Sequence, residues 1–281
     1  MRATSRVVRV LTGCLAVALL AAGCTSPAPE PDGEPSPSTT SSPTGTEAAT
    51  PAPDPGPTPR VGQCHALSFR QALAVVGRTE PVACRKRHTA QTYLVGRLRL
   101  RTPAGSTRRV DSDAAQRQAR TTCLTRLPGH LGLTPRELRL TMARAVWFTP
   151  SQQRADAGAG WFRCDVVAVA SPRQLLPLPR RTRGWGGAPA AAMCATAAPG
   201  TPAFRRVGCG TRHSWVAVAT VDIPGRRLPP RAAIAERMES TCRDLARGRA
   251  QDPLDFTWSQ ESPTREQWAA GQRYGICWVP A

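Results

Sequence analysis

The sequence predicts an α+β protein: two tandem, small, disulfide-stapled modules, each a mainly antiparallel sheet with one main helix, behind a signal peptide and a disordered tether. Three observations predict it. Four cysteines recur in the same order in each half, and each half reads strand, helix, strand by its apolar periodicity. Residues ahead of Val61 carry no core-forming pattern beyond one short apolar run.

The leader is residues 1–23. Arg2, Arg6 and Arg9 form a positive start, and Val10 to Ala22 is apolar apart from Thr12, Gly13 and Cys14. Ala21-Ala22-Gly23 then sets small residues directly before Cys24. That is the pattern of a secretory signal peptide. The run is shorter than the ~20 apolar residues that span a bilayer. A cysteine directly after the small residues is the mark of bacterial lipoprotein processing, so Cys24 is the expected lipidation site. Two acyl chains hold a protein stably where one is marginal. Leu11-Thr12-Gly13-Cys14 also fits by letter but leaves almost no apolar stretch ahead of it. An ordinary cleaved signal with an incidental cysteine is the plainer alternative.

Residues 24–60 form the tether. Pro, Ser, Thr, Gly and Ala dominate from Thr25 to Arg60, too little apolar surface to offset ordering entropy. Such a chain spans roughly 30 Å root-mean-square, reach enough to hold a folded part off a membrane. The formal charge is +19, carried almost wholly by arginine, with Lys86 the only lysine. A basic balance can signal nucleic acid, anionic lipid or an anionic polymer. Here the arginines are scattered, the balance reads as compositional, and no nucleic-acid partner is expected.

The folded part divides into module 1 (61–171), a Pro/Arg/Gly-rich linker (172–190) and module 2 (191–281). Val82-Ala-Cys84-Arg-Lys-Arg-His88-Thr in the first matches Val207-Gly-Cys209-Gly-Thr-Arg-His213-Ser in the second, both V-x-C-x3-H-[ST]. A strand pattern follows each, 91–100 and 215–223. Next comes a helical stripe: Ala115, Ala119, Cys123 and Leu127, then Ile234, Met238, Cys242 and Leu245. These spacings put each cysteine on its helix's buried face. Thr149-Pro150-x4-Ala155-x2-Gly158-x5-Cys164 aligns without a gap on Ser262-Pro263-x4-Trp268-x2-Gly271-x5-Cys277. The Ser or Thr before Pro reads as a helix cap, and closing strands cover 161–170 and 273–279. Cys64 and Cys194 complete each set of four.

An exported chain meets an oxidising space, where paired cysteines become disulfides, each contributing about 2–4 kcal/mol to so lean a core. Four cysteines allow three pairings, and spacing does not choose among them. The pairing adopted is first with second and third with fourth: Cys64–Cys84, Cys123–Cys164, Cys194–Cys209 and Cys242–Cys277. Cys-x3-His has zinc-like spacing, but no second ligand pair lies nearby, and no metal or other cofactor is expected. His88 and His213, the histidines at matched positions, are candidate ligand contacts; anchoring a turn is their plainer role. No nucleophile elbow, phosphate loop or duplicated carboxylate pair points to catalysis.

The V-x-C-x3-H-[ST] turn, the helix cysteine and the [TS]-P…G-x5-C ending together resemble the actinobacterial septum-formation domain, once over 61–171 and again over 191–281. The resemblance implies an envelope role connected with septation or wall assembly and carries over no catalytic residue. The expected function is a non-enzymatic, extracytoplasmic lipoprotein held at the cell membrane by its lipid, binding an envelope protein or wall component. A hydrolase acting on wall or lipid, and an arginine-mediated binder of anionic envelope polymers, are the alternatives.

Overall fold

Alternating apolar side chains build two five-stranded antiparallel sheets, and the computed structural model describes them within residues 54–281, Pro172 excepted. The signal peptide, Cys24 and the tether through residue 53 lie outside the described residues. The tether's last stretch, 54–60, has neither helix nor strand.

In the first half, β1 (Cys64–His65), β2 (Ala90–Arg97), β3 (Ala143–Phe148) and β4 (Trp161–Ala170) lie in the order β1-β2-β4-β3. A short β5 (Gln174–Leu176) also pairs with β4. Successive strand side chains point to opposite faces, and β4 is buried on both. Phe162, Cys164, Val166 and Ala168 face the main core. Val167 and Val169 face a smaller cluster with Leu67 and Phe148, as Arg163 and Asp165 do by alternation. Helix α1 (Phe69–Ala72), capped by Ser68, lies in the segment over that second face.

Helix α2 (Asp113–Leu131) covers the core face. It starts at the cap Ser112 and ends at Gly132, whose φ of 72° needs a residue without a Cβ. Its buried stripe, Ala115, Ala119, Cys123, Leu127 and Leu131, advances by fours as the sequence predicts. A turn of helix α3 (Pro135–Leu138) and then α4 (Gln152–Asp156) complete this half. Thr149 does not cap α4. Its amide bonds to the Val75 carbonyl, and the cap is Ser151, two residues on.

The second half orders β6 (Met193–Ala195), β7 (Arg206–Gly208), β8 (Trp215–Asp222), β9 (Ser259–Glu261) and β10 (Tyr274–Pro280) as β7-β6-β8-β10-β9. Its helix α5 (Arg231–Arg247) buries Ile234, Met238, Cys242 and Ala246, so Ala246 rather than Leu245 finishes the stripe. The short α6 (Arg265–Ala269) is capped by Thr264, where the pattern pointed to Ser262.

Strand register is shared between the halves. Cys64 faces Gln91 and Cys194 faces Val216; Thr92 faces Asp165 and Ala217 faces Trp278; Trp147 faces Cys164 and Gln260 faces Cys277. Both sheets also carry their irregularity at one equivalent place, around Tyr93 and Val218. Four disulfides join Cys64 to Cys84, Cys123 to Cys164, Cys194 to Cys209 and Cys242 to Cys277, with Cα separations of 5.0 to 5.3 Å.

The expectation of two self-contained modules on a spacer does not describe the packing. Residues from 54 onward form one compact unit, and the main core mixes Leu131, Met142 and Val166 with Met193, Ala217, Ile276 and Trp278. The Met142 amide donates to Ala191 O and the Met193 amide to Leu140 O, joining the halves edge to edge. Arg139 reaches across to Asp222 at 2.5 Å. Nor is 172–190 a free linker. Leu178 and Trp185 are buried in the main core, beside which the second half closes a smaller cluster of Ile223, Ile234, Met238, Cys242, Trp268 and Cys277.

Candidate ligand-binding cleft

The 172–190 strap is held by polar side chains of the first half. Gln91 Oε1 accepts from both the amide and the hydroxyl of Thr182, and Gln91 Nε2 donates to Arg180 O. His88, only 1% exposed, sets Nδ1 2.9 Å from Lys86 O and Nε2 3.1 Å from Pro179 O. Both of its ring nitrogens therefore face backbone, and the expected ligand contact at His88 gives way to a structural one. His213 makes the equivalent turn bond, Nδ1 to Thr211 O at 2.7 Å, and lies away from the cleft described next. Cys84 and Cys209, the sulfurs of the zinc-like spacing, are both in disulfides.

The second face of the first sheet carries a buried polar group that sequence reasoning missed. Arg163 and Asp165, two apart on β4, share this face, with side chains 5% and 0% exposed. Arg163 Nε lies 3.2 Å from Asp165 Oδ2, and its guanidinium stacks 4.7 Å over the Phe148 ring. Thr92 donates to Asp165 Oδ1 at 2.7 Å, and His65 Nε2 sits 3.4 Å from the Thr92 hydroxyl. His65 Nδ1 faces Thr79 O at 3.2 Å.

Burial sets the protonation of this group. It pushes His65 down to about 4, helped by the charge of Arg163 and opposed by bonds to the Thr79 and Glu80 backbone. Burial raises Asp165 to about 6, against the attraction of Arg163 and the Thr92 bond. At neutral pH the imidazole is neutral and the carboxylate ionised against Arg163. The first proton taken up on acidification settles on Asp165.

Above this group lies a cleft of about 350 Å³, within the range of small-ligand sites. Arg78, Glu80, Arg154 and Arg163 line it together with Trp161 and the 57–59 stretch of the tether's end. Nε and Nη2 of Arg163 are buried without a hydrogen-bond acceptor among the described residues.

Equivalent positions in the second half are all apolar. Aligned through the cysteines and the shared register, His65, Thr92, Arg163 and Asp165 correspond to Ala195, Ala217, Ile276 and Trp278. Those four sit in the main core, where the second half packs on the first. So one face packs against the first half in the second, while in the first it is polar and borders the cleft through Trp161 and Arg163. This polar-for-apolar exchange was the signal available in the sequence, visible once the halves are compared position by position.

Residues 61–277 match the family described as Septum formation. The chain belongs to the septum-formation family. The match runs unbroken through both halves and the strap between them, as does the core. No curated protein and no solved structure matches the chain. Membership in the septum-formation family points to a role in septum formation or cell division. Among the described residues no helix is long and apolar enough to cross a membrane.

Proposed function

We propose that this septum-formation protein is a non-enzymatic binding or scaffolding lipoprotein of the cell envelope, anchored through Cys24 on the extracytoplasmic side. Its folded part is two copies of one module fused into a single body. The observation that carries the binding role is the exchanged face. The second copy closes this face with Ile276 and Trp278 against the first, while the first copy keeps it polar beneath a cleft. A buried charge pair costs several kcal/mol to desolvate, and the second half folds around apolar residues at the same places. The polar set is thus retained for something other than folding.

Four disulfides suit an oxidising compartment. The cleft's charged groups, three arginines and one glutamate, are groups that hold a ligand. Its Ser151 is engaged as a helix cap, accepting from the Arg154 amide. The partner is an envelope protein or wall component.

Photo-crosslinking in living cells from Arg78 and Arg154, with mass spectrometry of the captured partners, tests the role. Specific capture of an envelope component at both positions is expected. Capture at background level, or a cytosolic chain with reduced thiols, overturns it.

A further inference from the structure

We infer that the turn Arg85-Lys86-Arg87 and the Arg180-Arg181 pair of the strap form one basic surface, and that this surface lies on an anionic lipid membrane. This goes beyond the binding role above and takes from it only the anchor at Cys24.

His88 and Pro179, which flank the two runs, are 91 residues apart in the chain, and buried side chains draw them together. The His88 ring stands between two carbonyls, that of Lys86 2.9 Å from Nδ1 and that of Pro179 3.1 Å from Nε2. The Leu178 amide donates to His88 O at 3.0 Å, and Gln91 Nε2 donates to Arg180 O at 2.9 Å. All five cationic side chains are exposed. None is in an ion pair among the described residues.

The excess of charge is local. Residues 81–110 hold no Asp or Glu, and neither do residues 166–221, so both runs lie in acid-free stretches. In the second half, Gly210 and Thr211 stand at the positions of Arg85 and Lys86, and only Arg212 is basic. That turn forms without the extra charge, since His213 makes the same ring-to-carbonyl bond, to Thr211 O at 2.7 Å. Like charges set side by side repel, so the cations of the first half weaken the fold that carries them. A dense array of anions outside removes that repulsion.

A bilayer is such an array, and it is the one to which the chain is tied. Among the described residues, the five side chains line none of the principal clefts. An open cationic surface meets many headgroup phosphates at once, and the planar fork of arginine matches phosphate oxygens. The tether from Thr25 to Arg60 spans roughly 30 Å, within which a body anchored at Cys24 can settle this face on the membrane. The lipid holds the protein, and the basic face sets which side of it meets the bilayer.

Cosedimentation tests this on the mature, disulfide-intact chain carrying Cys24→Ser, exported behind a signal that does not lipidate. The probes are phosphatidylcholine vesicles and vesicles of equimolar phosphatidylcholine and phosphatidylglycerol. Binding to the anionic vesicles alone, weakened by added salt, is expected. Each replaced cation should lower the partition about fivefold, so Arg85→Gln, Lys86→Gln and Arg87→Gln together should lower it on the order of a hundredfold. Arg180→Gln with Arg181→Gln should lower it about twenty-five-fold on the same scale. Arg226→Gln, Arg227→Gln and Arg231→Gln remove three exposed charges from the second half and should lower it far less. Equal binding to both vesicles, an equal loss in the two triple variants, or a loss from only one of the two runs overturns the inference. So does tighter binding, per phosphate, of soluble polyphosphate. Partner capture from Arg78 and Arg154 is read at other positions, so the two ideas fail separately.

Discussion

Asp165 and His65 titrate in opposite senses, which makes their residue-level roles measurable. Asp165, raised to about 6 by burial, binds its proton more tightly folded than unfolded, so its contribution to stability falls as pH rises from 3.8 toward 6. His65, held down to about 4, binds its proton more tightly unfolded, so its contribution is lost as pH falls from 6.5 toward 4. Between these limits the two slopes oppose each other. Asp165→Asn removes one of them. Urea titrations across pH should show the variant gaining on the native chain between about 4 and 6, by up to about 1.4 kcal/mol per pH unit, then levelling off. A pH-independent difference would mean that Asp165 ionises as an ordinary carboxylate. Tyr93 belongs to the same neighbourhood: burial and the nearby Asp165 raise its phenol, which donates to Cys123 O at 2.6 Å.

At the scale of elements, each half is a helix pinned to the centre of a sheet. Cys123 and Cys164 join α2 to β4, while Cys242 and Cys277 join α5 to β10. Replacing Cys123 and Cys164 together by alanine should cost about 2–4 kcal/mol, seen as a lower urea midpoint. Facing strands also trade bulk. Gly96 lies opposite Phe162 on the first sheet, and Val221 lies opposite Gly275 at the equivalent place on the second. A Cβ on Gly96 would overlap the Phe162 ring, so Gly96→Ala should destabilise by about 1–3 kcal/mol. The strap has its own anchor. Gln91→Leu strands the amide and hydroxyl of Thr182, a loss of about 1–3 kcal/mol. Amide exchange should localise that loss to 178–185 rather than to the sheet.

Over the whole molecule, the two halves meet in one main core, while α5 and its disulfide pack in a smaller cluster within the second half. Trp278 is wholly buried, with Phe204 edge-on to it at 5.5 Å, and belongs to the cluster that also holds Leu131 and Met142 of the first half. Trp278→Ala should cost about 3–5 kcal/mol. Calorimetry should show one transition for the native chain and one, at lower temperature, for the variant. Two separable transitions would restore the picture of independent modules. A chain cut at residue 190 should fail to give a folded first half, since it would expose Leu131, Met142 and Trp185.

Local chemistry was readable directly from the order of residues. The antiparallel α+β class, the position of each cysteine on its helix and the closing strand 161–170 follow from periodicities of two and of three to four residues, which depend on near neighbours alone. At two helix caps the sequence pattern points to Thr149 and Ser262, while the caps are Ser151 and Thr264, each two residues on. The fusion of the halves, the capture of 172–190 and the gathering of His65, Thr92, Arg163 and Asp165 came from packing. Those residues lie as much as a hundred positions apart, and no periodic signal spans such a distance. They meet because the halves pack on each other, which seals one sheet face with Ile276 and Trp278, while its twin is closed by the smaller Leu67 and Phe148 cluster and borders the cleft through Trp161 and Arg163.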